Sequence, residues 1–491
     1  MNEHEKSDSG IVATKPTNKT GRPVAEPVEP RPGTKGNVGQ QNTHRAQDRA
    51  RVTQALDRVR KAARQRKKER FTTLLHHVNL DTLRTVFYAL KRKAAPGVDG
   101  ITWQDYETDL EPRLRELHDR VHRGTYRPQP SRRTYIPKAG GKQRPLAIAA
   151  LEDQIVQGAT VMVLNAIYEG DFCGFSYGFR PGRGPHDALD ALYVAIDTRK
   201  VNWIVDADIR DFFGSVSQEW LVRFLEHRIG DKRIMRLIRK WLKAGTFEDG
   251  NVTIDARGTG QGSVISPLLG NIYLHYVLDL WAERWRQHEA TGEMIIVRYA
   301  DDVIAGFEHE EDARTFLDAM RARLETFMLS LHPDKTRLIE FGRFAAADRK
   351  RRGLGKPETF AFLGFTFICG RSRKGHFQLK RKTRSDRMRA KLKEIKVELR
   401  RHMHWSISRQ GEWLGQLVKG HYGYFAVPTN IRALTAFRYR VVDLWRQSLR
   451  RRSQKDRATW EQIAEIANEY LPKPRILHPW PSVRFAGKYS R

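Results

Sequence analysis

MIIVRYADDVIAGF, residues 294–307, consists of two apolar runs broken by adjacent aspartates at 301 and 302. Short β-rich runs flanking a polar tip predict a hairpin, with Ala300, Asp301 and Asp302 at the end of a buried strand pair. Alone this is weak evidence, since Asp favours turns for conformational reasons. A second acidic strand adds weight. WIVDADI, residues 203–209, alternates so that Ile204, Asp206 and Asp208 share one face and Trp203, Val205, Ala207 and Ile209 the other. Desolvating carboxylates is unfavourable unless a cation or hydrogen-bond donors offset it, and a divalent metal is the strongest offset available. A strand end where acids meet solvent is the plainer explanation. If the two strands are neighbours, Asp208, Asp301 and Asp302 converge as hard oxygen ligands for two Mg²⁺ ions about 4 Å apart, an arrangement suited to nucleotidyl transfer. Asp206 shares the Asp208 face about 6.6 Å away, which favours a supporting role.

The rest of the composition bears on the partner. Among 491 residues, Lys and Arg number 89 against 57 Asp and Glu, a net charge of +32, which points to a polyanion and most readily to nucleic acid. A well-solvated or ribosome-associated basic protein is the alternative. With 40% hydrophobic residues the chain can fill more than one core, so two or three domains are expected. Cys173 and Cys369 form no C-x-x-C pair, so neither a disulfide framework nor a zinc knuckle is supported and a reducing cytoplasm is expected. No apolar run is long enough to span a membrane, and no membrane partner is expected.

Along the chain, residues 1–47 read as a disordered tail. Residues 48–93 read as a basic helical extension. Its first helix, 48–70, buries Val52, Leu56 and Val59 and leaves Arg58, Arg60, Lys61, Arg64, Lys67 and Lys68 for RNA phosphates, or simply for water. A second helix is expected over 81–93, then a tight loop at APGVDG, residues 95–100. RRTYIPKAGGKQRPLAI, residues 132–148, predicts two strands around a Gly-Gly turn, a cationic ribbon able to fold over a triphosphate. Ile155, Ala159, Met162 and Ala166 mark a core helix over 153–169. GFSYGFRPGRGPHDAL, residues 174–189, is a Gly-rich loop entering a helix; Arg180 and Arg183 there are candidates for RNA contact, and His186 for capping or packing.

These blocks, in order, resemble the reverse transcriptases of bacterial group II introns, also called intron maturases. The resemblance runs from about residue 53 onward and includes APGVDG, YIPK, RPLAI, YGFRPGR, DADIRDFF, GQGSVISPLLGNIYL (260–274), RYADD, LHPDKT (331–336) and FLGFTF (362–367). It implies an α+β right-hand polymerase: fingers and palm over 94–375, with an antiparallel sheet and helices, then an α-helical thumb or maturase domain over 376–455. The activity it implies is RNA-directed DNA polymerisation from dNTPs on a DNA primer, with two Mg²⁺ ions held by Asp208, Asp301 and Asp302 and with Ile209 beside the first of them. By the same resemblance Lys138 and Arg144 contact the triphosphate, Phe213 excludes the ribose 2′-hydroxyl, Gln261 borders sugar and template, and Lys335 lies near the pyrophosphate as a candidate general acid. Two departures stand out: Gly260 where the family usually has Pro, and Gly214 where Asp is common.

Beyond the acids, residues 371–409 read as basic and helical, and residues 412–454 resemble the maturase region, where Trp413, Tyr422, Tyr424 and Phe425 fit core packing better than base stacking. Residues 456–491 read as a basic C-terminal arm, Pro-rich and extended at its end, without the cysteine pairs of an endonuclease, so a primer would come from elsewhere. Intron RNA, a DNA primer or target and dNTPs are the implied partners. An RNA-folding maturase without polymerisation, and a related polymerase used in phage defence or CRISPR adaptation, are the alternatives.

Overall fold

The computed structural model describes residues 38–489 apart from 138–142, 249 and 453–458. Among them the chain forms β1 (Ser131–Pro137) and β2 (Gln143–Ile148), then β3 (Trp203–Asp208), then β4 (Thr246–Glu248) and β5 (Asn251–Thr253). The hairpin strands β6 (Met294–Tyr299) and β7 (Asp302–Phe307) follow, then β8 (Arg337–Glu340), β9 (Phe360–Phe362), β10 (Phe365–Arg371) and β11 (Phe377–Thr383). The architecture is mixed α+β, with helices packed around three sheets.

The central antiparallel sheet has the order β6-β7-β3-β8 and positions the site. Strand parity splits its side chains between two cores. Val205, Ala207, Met294, Ile296, Val303, Ala305 and Phe307 enter the larger core, with helix Leu151–Tyr168 and the N-terminal helices. Ile204, Ile295, Val297, Ile304 and Ile339 enter a second core, shared with helix Pro185–Thr198 and with β9, β10 and β11. Acids at the end of β3 therefore lie between two packed layers.

The second sheet, β2-β1-β4-β5, extends the expected ribbon: β1 and β2 pair from Arg132↔Ile148 to Pro137↔Gln143, and β4 joins β1 in parallel. A third core holds the helices Ser385–Arg401, Ile407–Phe425, Ile431–Arg450 and Trp460–Tyr470. Tyr422 is buried there and Trp413 packs against it, while Phe425 and Tyr424 lean on the neighbouring core, so these aromatics serve packing.

Four boundaries differ from expectation. The second helix, expected over 81–93, runs only Leu80–Ala89. The first helix runs Val38–Gln65, taking in the last part of the stretch expected to be disordered and stopping short of residue 70; Val52, Leu56 and Val59 are buried as expected. Residues 377–383 form β11, held to β10 by backbone pairing, so the basic stretch is strand before it is helix and the sheet crosses the expected boundary at 375. The C-terminal arm contains helices Trp460–Tyr470 and Pro481–Tyr489. Proline is compatible with a first helical turn, so the Pro-rich composition did not exclude the last of these. Its Arg484 Nε lies 2.5 Å from Asp190 Oδ2, and His478 stacks on His186 at 4.2 Å. No helix among the described residues is long and apolar enough to cross a membrane.

Candidate active site

Asp208 ends β3 and Asp302 begins β7, and the two are direct cross-strand partners. Tyr299 pairs with Asp302 at the end of the hairpin, leaving Ala300 and Asp301 as its two-residue turn, with Ala300 at φ 57. The three acids thus occupy one end of the sheet. Burial, with Asp301, Asp208 and Asp206 nearby, pushes Asp302 up to about 7; burial and Asp208 also raise Asp301. Such mutual repulsion among desolvated carboxylates is what a divalent cation relieves. Among the described residues no preset cage of three metal-binding side chains is formed. The donor set nevertheless fits a hard cation: carboxylate oxygens gathered at one sheet end, with the Asp208 charge raising the proton affinity of Asp301 and Asp302.

Cations already compensate part of this charge. Lys335 Nζ lies 2.5 Å from Asp208 Oδ2. It is brought there because the loop after helix Glu310–Thr326 is stitched to the end of β3: His332 N donates to Asp208 O at 2.8 Å and Arg210 N to Ser330 O at 2.8 Å. Arg144, exposed on β2, and Lys335 both pull the Asp301 carboxyl down, against the burial and the Asp208 charge that raise it. Asp206 lies 3.5 Å from Arg337 Nη2, and burial raises it to about 6. Ile209 buries its side chain in the larger core, so only its backbone oxygen is free to serve an ion.

A cleft of ≈ 530 Å³ is lined among others by Pro145, Ala147, Asp211, Phe213 and Gln261, the three acids themselves lying outside its lining. Phe212 is buried and Phe213 half-buried, so the pair divides between core and cleft. Gln261 is fixed through its backbone, its oxygen accepting from Ala147 N at 2.6 Å. Gly260 sits at φ 60, a conformation closed to proline, so this turn differs in shape from one carrying the usual Pro. At Gly214 the space a side chain would take is filled by the Asp211 carboxylate, and Asp211 itself is left-handed at φ 40. The acid missing at 214 is thus matched by one at 211 lining the same cleft.

The other expected residues divide. Lys138 lies outside the described residues. Arg58, Lys61, Arg64, Lys67 and Lys68 are exposed, while Arg60 is half-buried and paired with Asp57. Arg180 is no RNA contact: it is 5% exposed, paired with both oxygens of Glu169, and donates to Cys173 O and Ser176 O. Arg183 is half-buried, donating to Gly174 O and Ser176 O. Both fasten the Gly-rich loop, whose glycines need such external ties. His186 is a packing residue between His478 and Tyr424. Sequence reasoning missed Arg298, wholly buried beneath the turn; a lone cation in the run MIIVRY was the available signal.

Residues 136–367 match the family model described as reverse transcriptase (RNA-dependent DNA polymerase). Protein YkfC of Escherichia coli is 34% identical over 320 residues, covering 58% of this chain and 78% of YkfC. The group II intron-encoded protein LtrA of Lactococcus lactis is 30% identical over 305 residues, 59% of this chain and 50% of LtrA. An uncharacterized 91 kDa protein in the cob intron of Schizosaccharomyces pombe is 42% identical over 146 residues, 30% of this chain and 18% of that protein.

Proposed function

The chain belongs to the group II intron reverse transcriptase and maturase family, and from that premise we propose that it is an RNA-directed DNA polymerase extending a DNA primer on intron RNA. The observation that carries the reading is the meeting of Asp208, Asp301 and Asp302 at one end of the sheet. In this reading the central sheet is the palm, the β1–β2 ribbon belongs to the fingers, and the helices from Ser385 onward form the thumb or maturase domain.

Asp208, Asp301 and Asp302, with the Ile209 carbonyl, would hold two Mg²⁺ ions, whose charge activates the primer 3′-hydroxyl and offsets that of the leaving pyrophosphate. Arg144 neutralises the triphosphate and holds it in line. The primer 3′-hydroxyl gives its proton to solvent, and its oxygen bonds to the α-phosphorus as the bond to pyrophosphate breaks. Lys335, 52% exposed at its side chain, exchanges Asp208 for the departing pyrophosphate and gives it a proton. Phe213 closes against the sugar and excludes a 2′-hydroxyl by size, and Gln261 lines the sugar and template side. The exposed cations of the first helix and the basic helical unit bind intron RNA, assisting its folding, splicing and mobility.

Primer extension on an RNA template with dNTPs and Mg²⁺ tests the reading. Extension by the wild type and its loss in Asp301→Ala are expected, by about 10³-fold or more in kcat. A wild type that extends nothing removes the polymerase and leaves an RNA-binding maturase. Phe213→Ala is expected to relax discrimination against rNTPs, and unchanged discrimination would remove it as the gate.

A further inference from the structure

Arg298 follows Met294 and Ile296 by strand parity toward the larger core, two residues before Ala300. It is wholly buried there, as is Asp279, and joins it through Nε and Nη2 at 2.6 Å each. Nη2 also donates to Ser176 Oγ at 2.7 Å, and Nη1 donates to Asn271 Oδ1 at 3.1 Å and to Ala300 O at 2.9 Å. All five guanidinium N–H groups are therefore engaged, and one of them grips the backbone of the acidic turn.

The surroundings are shaped for this grip. Helix Ser266–Leu274 carries Asn271, and the π turn His275–Asp279 that follows, closed by Leu280 N to His275 O, carries Asp279. Such wide turns are rare and concentrate at functional sites. Asn271 Nδ2 donates to Gly178 O at 2.7 Å, and Gly178 lies so close beneath Ala300 that a Cβ there would collide with the turn backbone. A buried ion pair is a poor filler, because apolar residues of equal volume often fill such a space with more stability. Its presence under the turn calls for a use beyond filling.

We propose that Arg298 is a positioning residue: clamped by Asp279, it pins the Ala300 carbonyl and so sets the Asp301 and Asp302 carboxylates at the spacing metal-assisted transfer requires. This rests on the polymerase reading above. A lysine keeps the charge but lacks the planar fork that reaches Asp279, Asn271 and Ala300 together.

The test compares full-length wild type, Arg298→Lys and Asn271→Ala. Mn²⁺ is the metal probe, its binding followed by electron paramagnetic resonance, alongside primer-template affinity by fluorescence anisotropy, circular dichroism and primer-extension kcat. Arg298→Lys is expected to keep its fold and its primer-template affinity, bind Mn²⁺ about tenfold more weakly and lose about 100-fold in kcat, as small misplacements do. Asn271→Ala leaves the ion pair and is expected to shift both quantities in the same direction by less. A folded Arg298→Lys with wild-type Mn²⁺ affinity overturns the inference, whatever its activity. If that variant does not fold, Asn271→Ala decides, and unchanged Mn²⁺ affinity overturns it. An inactive wild type removes the polymerase reading and this inference with it, whereas an active wild type with indifferent variants removes this inference alone.

Discussion

Asp211 and Gly214 form a coupled pair. Because the Asp211 carboxylate fills the space above Gly214, a Gly214→Asp variant must displace it and bring two acids together. Because Asp211 is exposed and can turn aside, we expect a loss of only about 0.5 kcal/mol in urea unfolding, from the two like charges, restored by adding Asp211→Gly, which also relieves a left-handed backbone at φ 40. Equal stability of the single variant and wild type would refute the coupling. His421 gives a second residue-level prediction. It is buried between Phe437 and Phe425, which lowers its pKa from 6.5 to about 4. Between those values the unfolded chain takes up a proton that the folded chain refuses, so its contribution is present above pH 6.5 and fades on acidification. His421→Phe should therefore gain about 2 kcal/mol relative to wild type on going from pH 7.5 to 5, read as the difference between two melting series. No relative gain would mean the imidazole is protonated in the fold. At this scale the acids could be read in advance, because strand alternation fixes which way Asp208 points. The lone cation at Arg298 was legible in MIIVRY, but its partners Asp279, Asn271 and Ser176 were not, since they come from segments whose approach no local pattern encodes.

The first helix shows what periodicity does and does not reveal. Its buried stripe was readable at Val52, Leu56 and Val59, because a helix must hide one face. Its start at Val38 was not, since the polar residues before position 48 carry no apolar stripe and read as a tail. The exposed face carries Arg58, Lys61 and Arg64. Reversing all three to Glu should leave the circular dichroism unchanged, weaken RNA binding and reduce the salt dependence of log K by about 2. An unaltered slope in a salt titration would show that these side chains face only water. β11 was misread for the converse reason: QLKRK offers the composition of a basic helix, and only pairing with β10 makes it a strand.

Across the molecule, Asp190 ties together parts far apart in sequence. Its two oxygens meet Arg381 Nη1 at 3.1 Å and Arg484 Nε at 2.5 Å, joining helix Pro185–Thr198, β11 and helix Pro481–Tyr489. Asp190→Ala would strand a guanidinium that is 1% exposed at its side chain, and should destabilise by about 3–5 kcal/mol, seen as a lowered melting temperature. Arg484→Ala, which leaves Asp190 one partner, should cost less; equal losses would mean that the last helix carries the whole effect. Architecture at this scale was readable only through ordered motifs and the +32 charge, because long-range pairing leaves no trace in any one segment. The same tie bears on synthesis. A chain growing from the ribosome completes the sheet and its acids, and pairs Asp190 with Arg381, well before Arg484 emerges; until then the second oxygen of Asp190 lacks its partner. That interval is when the nascent protein is most exposed to chaperones, proteases and premature capture by RNA, so codon choice between the segments encoding Arg381 and Arg484 becomes a handle on folding yield.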